Sequence, residues 1–303
     1  MHRPARTSLP RRRSADLTSY DCSELSERSG LDIVKDCLEL MLSLEFFQRY
    51  KAKSFELLEI GSGSNVLEVG CGTGVDARQL AYMVGEKGRV LAIDKSEPMI
   101  AEVRSQPGLP KALVPKVADV CRLPFKAGTF HAARVDRTLQ HVKDLEAAVA
   151  EMVRVLTSGG RLVASEPDWE TLHVDTEDVK TMRTMAHVLC DSIRHGWVGR
   201  SLYRRFSAVG LTDIEVFPET LVMTDLNTAN EVLHIGRTLR DCVLKGLLNE
   251  STARRWFDEL RERDGSGQFF SALTIYLVRG RKPLHRPQTF ERFLQNMTGS
   301  TDE

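Results

Sequence analysis

Apolar residues along the chain follow two rhythms. Compact runs rich in valine, leucine and isoleucine, at 65–69, 89–93, 115–120, 130–136 and 161–165, suit strands, and two further strands are expected at 214–223 and 269–278. Over 75–84, 144–156, 176–195 and 199–210 apolar positions instead recur at the spacing of a helix face. The run 65–69 reads Asn-Val-Leu-Glu-Val and is interrupted only by Glu68, which suits a strand buried on both faces of a parallel sheet. A helical stretch over 32–59 precedes it, with Ile33, Val34, Cys37, Leu38, Met41, Leu42, Leu44 and Phe47 as its apolar positions. Residues 226–263 are helical as well, and long for a connection between two strands.

The first strand runs straight into Gly70-Cys-Gly-Thr-Gly74, then a helix, then a strand that ends on Asp94. Each part has a physical use. Glycines let the backbone turn tightly and come close to a ligand. Free N–H groups at the helix start attract a carboxylate or phosphate. An acid at the tip of the neighbouring strand can accept both ribose hydroxyls. The spacing narrows the ligand: a dinucleotide fingerprint wants glycine at the sixth place, where this chain has Val75, and no Gly-Lys-Ser/Thr follows as in a phosphate-binding loop.

Glu68-Val-Gly-Cys-Gly-Thr-Gly74, with Asp94, resembles motif I and the ribose acid of the class I S-adenosylmethionine-dependent methyltransferases. The run from Arg134 to Trp169 is similar to their type 11 small-molecule branch. The resemblance implies an α/β fold: a seven-stranded, mostly parallel, doubly wound sheet with an antiparallel last strand, an N-terminal helix and inserted cap helices. It implies S-adenosyl-L-methionine as cofactor, bordered by Glu68, Gly70, Cys71, Gly72, Gly74, Asp94 and Lys95. Met99 then lies on the adenine side, Asp119 reaches the adenine amino group, and Val120 packs on the ring. Arg137 suits the cofactor carboxylate or a surface ion pair. After the fourth strand such enzymes carry a residue facing the transferred methyl. His141 is the first candidate base, since imidazole titrates near neutrality, and it suits helix packing equally well. Glu166 is the second, and with Trp169 it is placed at the acceptor, while Asp168 suits a loop turn. Tyr20, Phe47, Phe46 and Tyr50, from the N-terminal segment, are expected to border the site or to pack.

Composition changes little in this picture but excludes some partners. Of 303 residues, 42% are hydrophobic and 28% charged, and 42 basic residues balance 42 acidic ones. Zero net charge gives no general footprint for nucleic acid or an anionic membrane, and no apolar run is long enough to span a bilayer. The six cysteines are scattered without a CxxC pair, so free thiols in a reducing, cytoplasmic setting and no metal are expected. Residues 1–29 read as a disordered basic tail, 30–282 as the domain with cap insertions at about 170–198 and 225–265, and 283–303 as a polar tail. The inserted and N-terminal helices are candidates for a homo-oligomer contact.

The expected activity is methyl transfer to the O, N or C atom of a small molecule, such as a secondary metabolite or quinone-like compound. RNA or protein methylation, or a non-catalytic cofactor-binding subunit, are the alternatives. The chain lacks the Asn/Asp-Pro-Pro-Tyr tetrad that would point to exocyclic base amines or glutamine amide, and lacks a Pro-Cys nucleophile of the cytosine-C5 kind.

Overall fold

The computed structural model describes residues 38–284, so Tyr20, the N-terminal tail and residues 285–303 lie outside the described residues. Residues 38–43 are helical and the chain bends at Leu44 before α1 (Glu45–Glu56). The order then runs β1 (Asn65–Val69), α2 (Val75–Val84), β2 (Arg89–Asp94), α3 (Glu97–Ser105), β3 (Leu113–Val117) and β4 (Phe130–Asp136). It continues with α4 (Leu145–Val155), β5 (Leu156–Val174), α5 (Val179–Ser192), α6 (Val198–Ala208) and β6 (Thr212–Met223). Three cap helices, α7 (Leu226–Leu233), α8 (Ile235–Leu244) and α9 (Glu250–Gly265), precede β7 (Ser271–Arg281).

One sheet holds all seven strands in the order β3-β2-β1-β4-β5-β7-β6. The first five are parallel, and β7 runs antiparallel to both β5 and β6. Side-chain caps start five of the helices. Ser96 Oγ accepts the Met99 N–H at 3.4 Å with Pro98 in the first turn of α3. Asp144, Asp178, Asp225 and Asn249 cap α4, α5, α7 and α9 in the same way.

Strand alternation sorts the core. Val66, Val90, Ala92, Ala132 and Val163 pack against α2 and α3, whereas Leu67, Val69, Leu91, Ile93, Ala133 and Val135 pack against α4 and α6. A third core gathers α1, α5 and the cap helices around Trp256 and the ends of β5, β6 and β7. Glu68 and Arg134 break the apolar pattern at registered positions of adjacent strands.

The strand expected at 161–165 is instead 19 residues long as β5, taking in Gly159 and Gly160 before it and Asp168, expected in a loop turn, after it. The reason is β7, which pairs with β5 from Arg161 to Val174 and so keeps it extended beyond the parallel strands. Gly159 takes the turn locally, at φ +77°, with its N–H on Lys282 O. Strands β3 and β6 form the sheet edges, and each contains a proline, Pro115 and Pro218.

Candidate active site

Strand order reverses between β1 and β4, and in an open α/β sheet the crevice at that switch point, beyond the carboxyl ends of the strands, is where a ligand sits. Its two lips are the glycine turn after β1 and the loop after β4. Gly70, Gly72 and Gly74 all take positive φ, at +69°, +51° and +78°, a region that side chains disfavour. A Cβ on Gly70 would lie 2.1 Å from Thr138 Oγ1 of the opposite lip, so only glycine permits this approach. A Cβ on Gly72 would meet Leu38 Cδ1 at 3.5 Å, which places the N-terminal segment over the turn.

Asp94 closes the turn from the side. Its carboxylate accepts the Gly72 N–H at 3.1 Å and the Ser96 N–H at 2.8 Å. Met99 is buried in the first turn of α3, and Lys95 is exposed. The Asp94 carbonyl accepts the Ala118 N–H at 3.0 Å, bringing Asp119 to the same rim. Asp119 caps the short turn Val120–Arg122 through the Cys121 N–H. The glycine cradle, the anchored acid and the rim therefore fit an adenosyl ligand with an amino-acid tail.

Beneath the turn Glu68 and Tyr50 meet three side chains that the sequence reading did not assign, Lys51, Asp76 and Arg134, around Asp136. Arg134 is fully buried; it pairs with Glu68, lies 3.2 Å from Asp76 and 3.0 Å from Asp136, and stacks over Phe55 at 4.8 Å. From α1, Lys51 pairs with Asp76 and, at 2.9 Å, with Asp136, while Tyr50 Oη donates to Asp136 at 3.0 Å. Burial works to raise the Asp136 pKa, but Lys51, Arg134 and Arg137 outweigh it and hold the carboxyl well below its usual range. For Glu68 burial wins against Arg134 and pushes the carboxyl up to about 8. Glu68 is thus enclosed beneath the turn, with Oε1 on Arg134. The signal available in the sequence was one acid and one arginine, each alone in an apolar strand.

The second lip begins at Arg137, whose φ of +49° is unusual for a side-chain residue. Its N–H bonds Ser165 O at 2.8 Å, and its guanidinium touches Met41 Sδ and lies 5.1 Å over the Phe47 ring. Phe47 is itself buried against Phe46 and Tyr50, so it supports Arg137 instead of facing an acceptor. Glu166 also needs correction. It is fully buried, and its carboxylate accepts the N–H groups of Thr138, Leu139 and Gln140 at 2.8, 2.7 and 3.4 Å. Burial raises its pKa to about 8 against those three bonds, and enclosed oxygens cannot reach an acceptor proton. Glu166 shapes the lip.

Gln140 ties this lip to the next strand. Its Oε1 accepts the Trp169 Nε1–H at 2.7 Å and its Nε2 donates to Arg137 O at 3.0 Å. Trp169 is half-buried and His141 is exposed at the rim. Desolvation, then the positive charges of Lys95 and Arg137, lower the His141 pKa, which keeps the imidazole neutral at neutral pH. Asp168, expected in a loop turn, is a buried strand residue held by Arg200 through Nη2 at 2.8 Å and through Nε. Among the described residues no group of His, Cys, Asp and Glu is arranged to hold a metal, and no helix is long and apolar enough to cross a membrane.

The comparisons with known proteins now fall into place. The family model of a methyltransferase domain, type 11, matches residues 67–164, from the middle of β1 to the middle of β5. The chain belongs to the class I S-adenosylmethionine-dependent methyltransferases. It is 36% identical over 242 residues to an uncharacterized 37.1 kDa protein in transposon TN4556 of Streptomyces fradiae, covering 80% of this chain and 69% of that one. It is 30% identical over 132 residues to a demethylmenaquinone methyltransferase of Desulfitobacterium hafniense, covering 43% of this chain and 52% of the relative. The chain thus spans about half the length of that relative. Among solved structures, the YcgJ protein of Bacillus subtilis superposes with a TM-score of 0.56 at 18% identity, over 78% of this chain and all of that one. That likeness concerns the fold. The enzyme uses S-adenosylmethionine.

Proposed function

We propose that this enzyme methylates a small aromatic or quinone-like molecule, bound at the mouth of the crevice between His141 and Trp169. The observation that carries this reading is the Gln140–Trp169 bond, which fixes the indole against the same short turn that carries His141, whose pKa its surroundings lower. A flat, electron-rich acceptor suits an indole wall, through offset stacking. The demethylmenaquinone methyltransferases among the curated relatives act, by name, on a quinone precursor. A compact rim with balanced overall charge supports a small molecule over RNA.

The cofactor supplies an activated methyl on a sulfonium. The chain supplies placement. The glycine turn and Asp94 would hold the adenosyl ligand, the Glu166-braced lip fixes the acceptor side, and α1 with residues 38–43 excludes water; orientation of this kind is a large share of catalysis. For a hydroxyl acceptor, neutral His141 takes the proton at a ring nitrogen as the oxygen attacks in line. For a carbon acceptor, Trp169 faces the positive charge that develops on the ring.

The test is a methyl-transfer assay with radiolabelled cofactor against phenols, dihydroxynaphthalenes, prenylated hydroquinones and small amines, with peptides and transfer RNA alongside. A labelled aromatic product is expected. Label found only in peptide or RNA would overturn the reading, and a chain that binds cofactor but labels nothing in the panel would favour a non-catalytic subunit.

A further inference from the structure

The two lips of the crevice belong to different strands, and one side chain from a third element joins them. Lys51 Nζ, on α1, lies against Asp76 Oδ2 and 2.9 Å from Asp136 Oδ2. Asp76 is the second residue of α2, directly after the glycine turn, and Asp136 is the last residue of β4, directly before Arg137. Tyr50 seats this arrangement by donating to Asp136 Oδ1 at 3.0 Å. Arg134 spans the same two acids from below, but it also serves Glu68.

The lysine side chain is 9% exposed. A buried ammonium survives only where partners replace its water, and here both partners are lip residues. Without Lys51, the Asp76 and Asp136 carboxylates would converge on a single shared guanidinium and repel each other. Relief requires the two to move apart. Movement at Asp76 displaces the glycine turn, and movement at Asp136 turns the loop that carries His141.

We propose that Lys51, seated by Tyr50, is a positioning residue for the cofactor: it sets the width of the crevice by tying both lips to α1. It acts through Asp76 and Asp136, not by contact with the ligand. The inference rests on the cofactor occupying the crevice between β1 and β4. A misplacement of about 1 Å far from the chemistry can cost roughly 100-fold in rate, and a crevice displaced on that scale is expected to weaken cofactor binding enough to read by calorimetry.

The experiment titrates S-adenosylhomocysteine into the wild type and the variants K51M, K51R and Y50F, with thermal melts of each. The wild type binds. K51M is expected to raise Kd roughly tenfold or more, Y50F less, and K51R to restore binding to within about threefold, all with cooperative melts. Should K51M fail to fold, K51Q, which keeps a donor but is one atom shorter and carries no charge, is expected to show the same loss. Unchanged affinity in K51M or K51Q beside a lowered melting temperature would overturn the proposal and leave Lys51 a purely structural tie. K51R as weak as K51M would also overturn it. A wild type that does not bind would instead remove the cofactor crevice itself.

Discussion

The sheet is two halves built on different terms. In β3-β2-β1-β4 the strands are five to seven residues long, parallel, and covered by helices on both faces. In β5-β7-β6 they are 19, 11 and 12 residues long, antiparallel, and extend into a separate core with the cap helices. The first half makes its site from backbone: three left-handed glycines and an acid that bonds main-chain N–H groups. The second makes its part from side chains, as where Trp169 of β5 bonds Gln140 of the loop after β4 and Asp168 pairs with Arg200. Backbone geometry is intolerant of change, whereas side-chain walls can be altered to fit another acceptor.

The comparison breaks most severely at Arg134. Arg134→Leu leaves Glu68 without its cation and Asp76 and Asp136 sharing Lys51, and a loss of roughly 3–5 kcal/mol in urea unfolding is expected. Gly70→Ala attacks the backbone site directly. The added Cβ meets Thr138 at 2.1 Å with φ at +69°, and strain of about 3 kcal/mol corresponds to roughly 100-fold weaker S-adenosylhomocysteine binding by calorimetry.

His141→Ala should separate the halves kinetically. Turnover is expected to fall on the order of 100-fold with a hydroxyl acceptor, with the Kd for S-adenosylhomocysteine unchanged. Because the His141 pKa is depressed, wild-type kcat should hold level at neutral pH and decline only below the ordinary histidine value of 6.5. An acid limb centred above that value would remove His141 as the base.

Glu68 gives a smaller and opposite-signed signature. Its folded pKa is raised from 4.5 to about 8, so its contribution is complete below pH 4.5 and is lost as pH rises through 8. Glu68→Gln, which mimics the protonated acid, should therefore reduce the fall in Tm between pH 5 and 8.5 by about 2–4 °C. The smallest effect lies in the cap. Asp225→Ala removes the 2.8 Å cap bond to the Thr228 N–H, and a loss of about 1 kcal/mol is expected with cofactor affinity intact. Weaker cofactor binding in that variant would mean the halves are less independent than their cores suggest.

Legibility in the sequence divides along the same line. The glycine turn and Asp94 follow from rules that act within a few residues, so the chain displays them openly. The roles of Glu68, Phe47 and Glu166 do not. Each depends on a partner 28 to 90 positions away, as with Glu166 and Thr138 or Phe47 and Arg137, and a polar residue beside a motif reads the same whether it faces ligand or backbone. The Lys51–Asp76–Arg134–Asp136 network was hidden for a related reason: Lys51 sits in a helix whose charged positions look like a solvated face. The length of β5 was missed because Gly159 and Gly160 advertise a turn, while the pairing that overrides them comes from β7, more than a hundred residues later.

One outer strand also governs what the sheet can accept from outside. Ala112 O and Ala118 N bond to β2, so alternation turns Pro115 outward. Its ring offers no donor, and its carbonyl is taken by Arg104 at 3.2 Å. A foreign β-segment approaching β3 thus finds both main-chain handholds missing at the midpoint of a five-residue rail. That rim is closed to strand addition, and the molecule is protected there against runaway polymerisation.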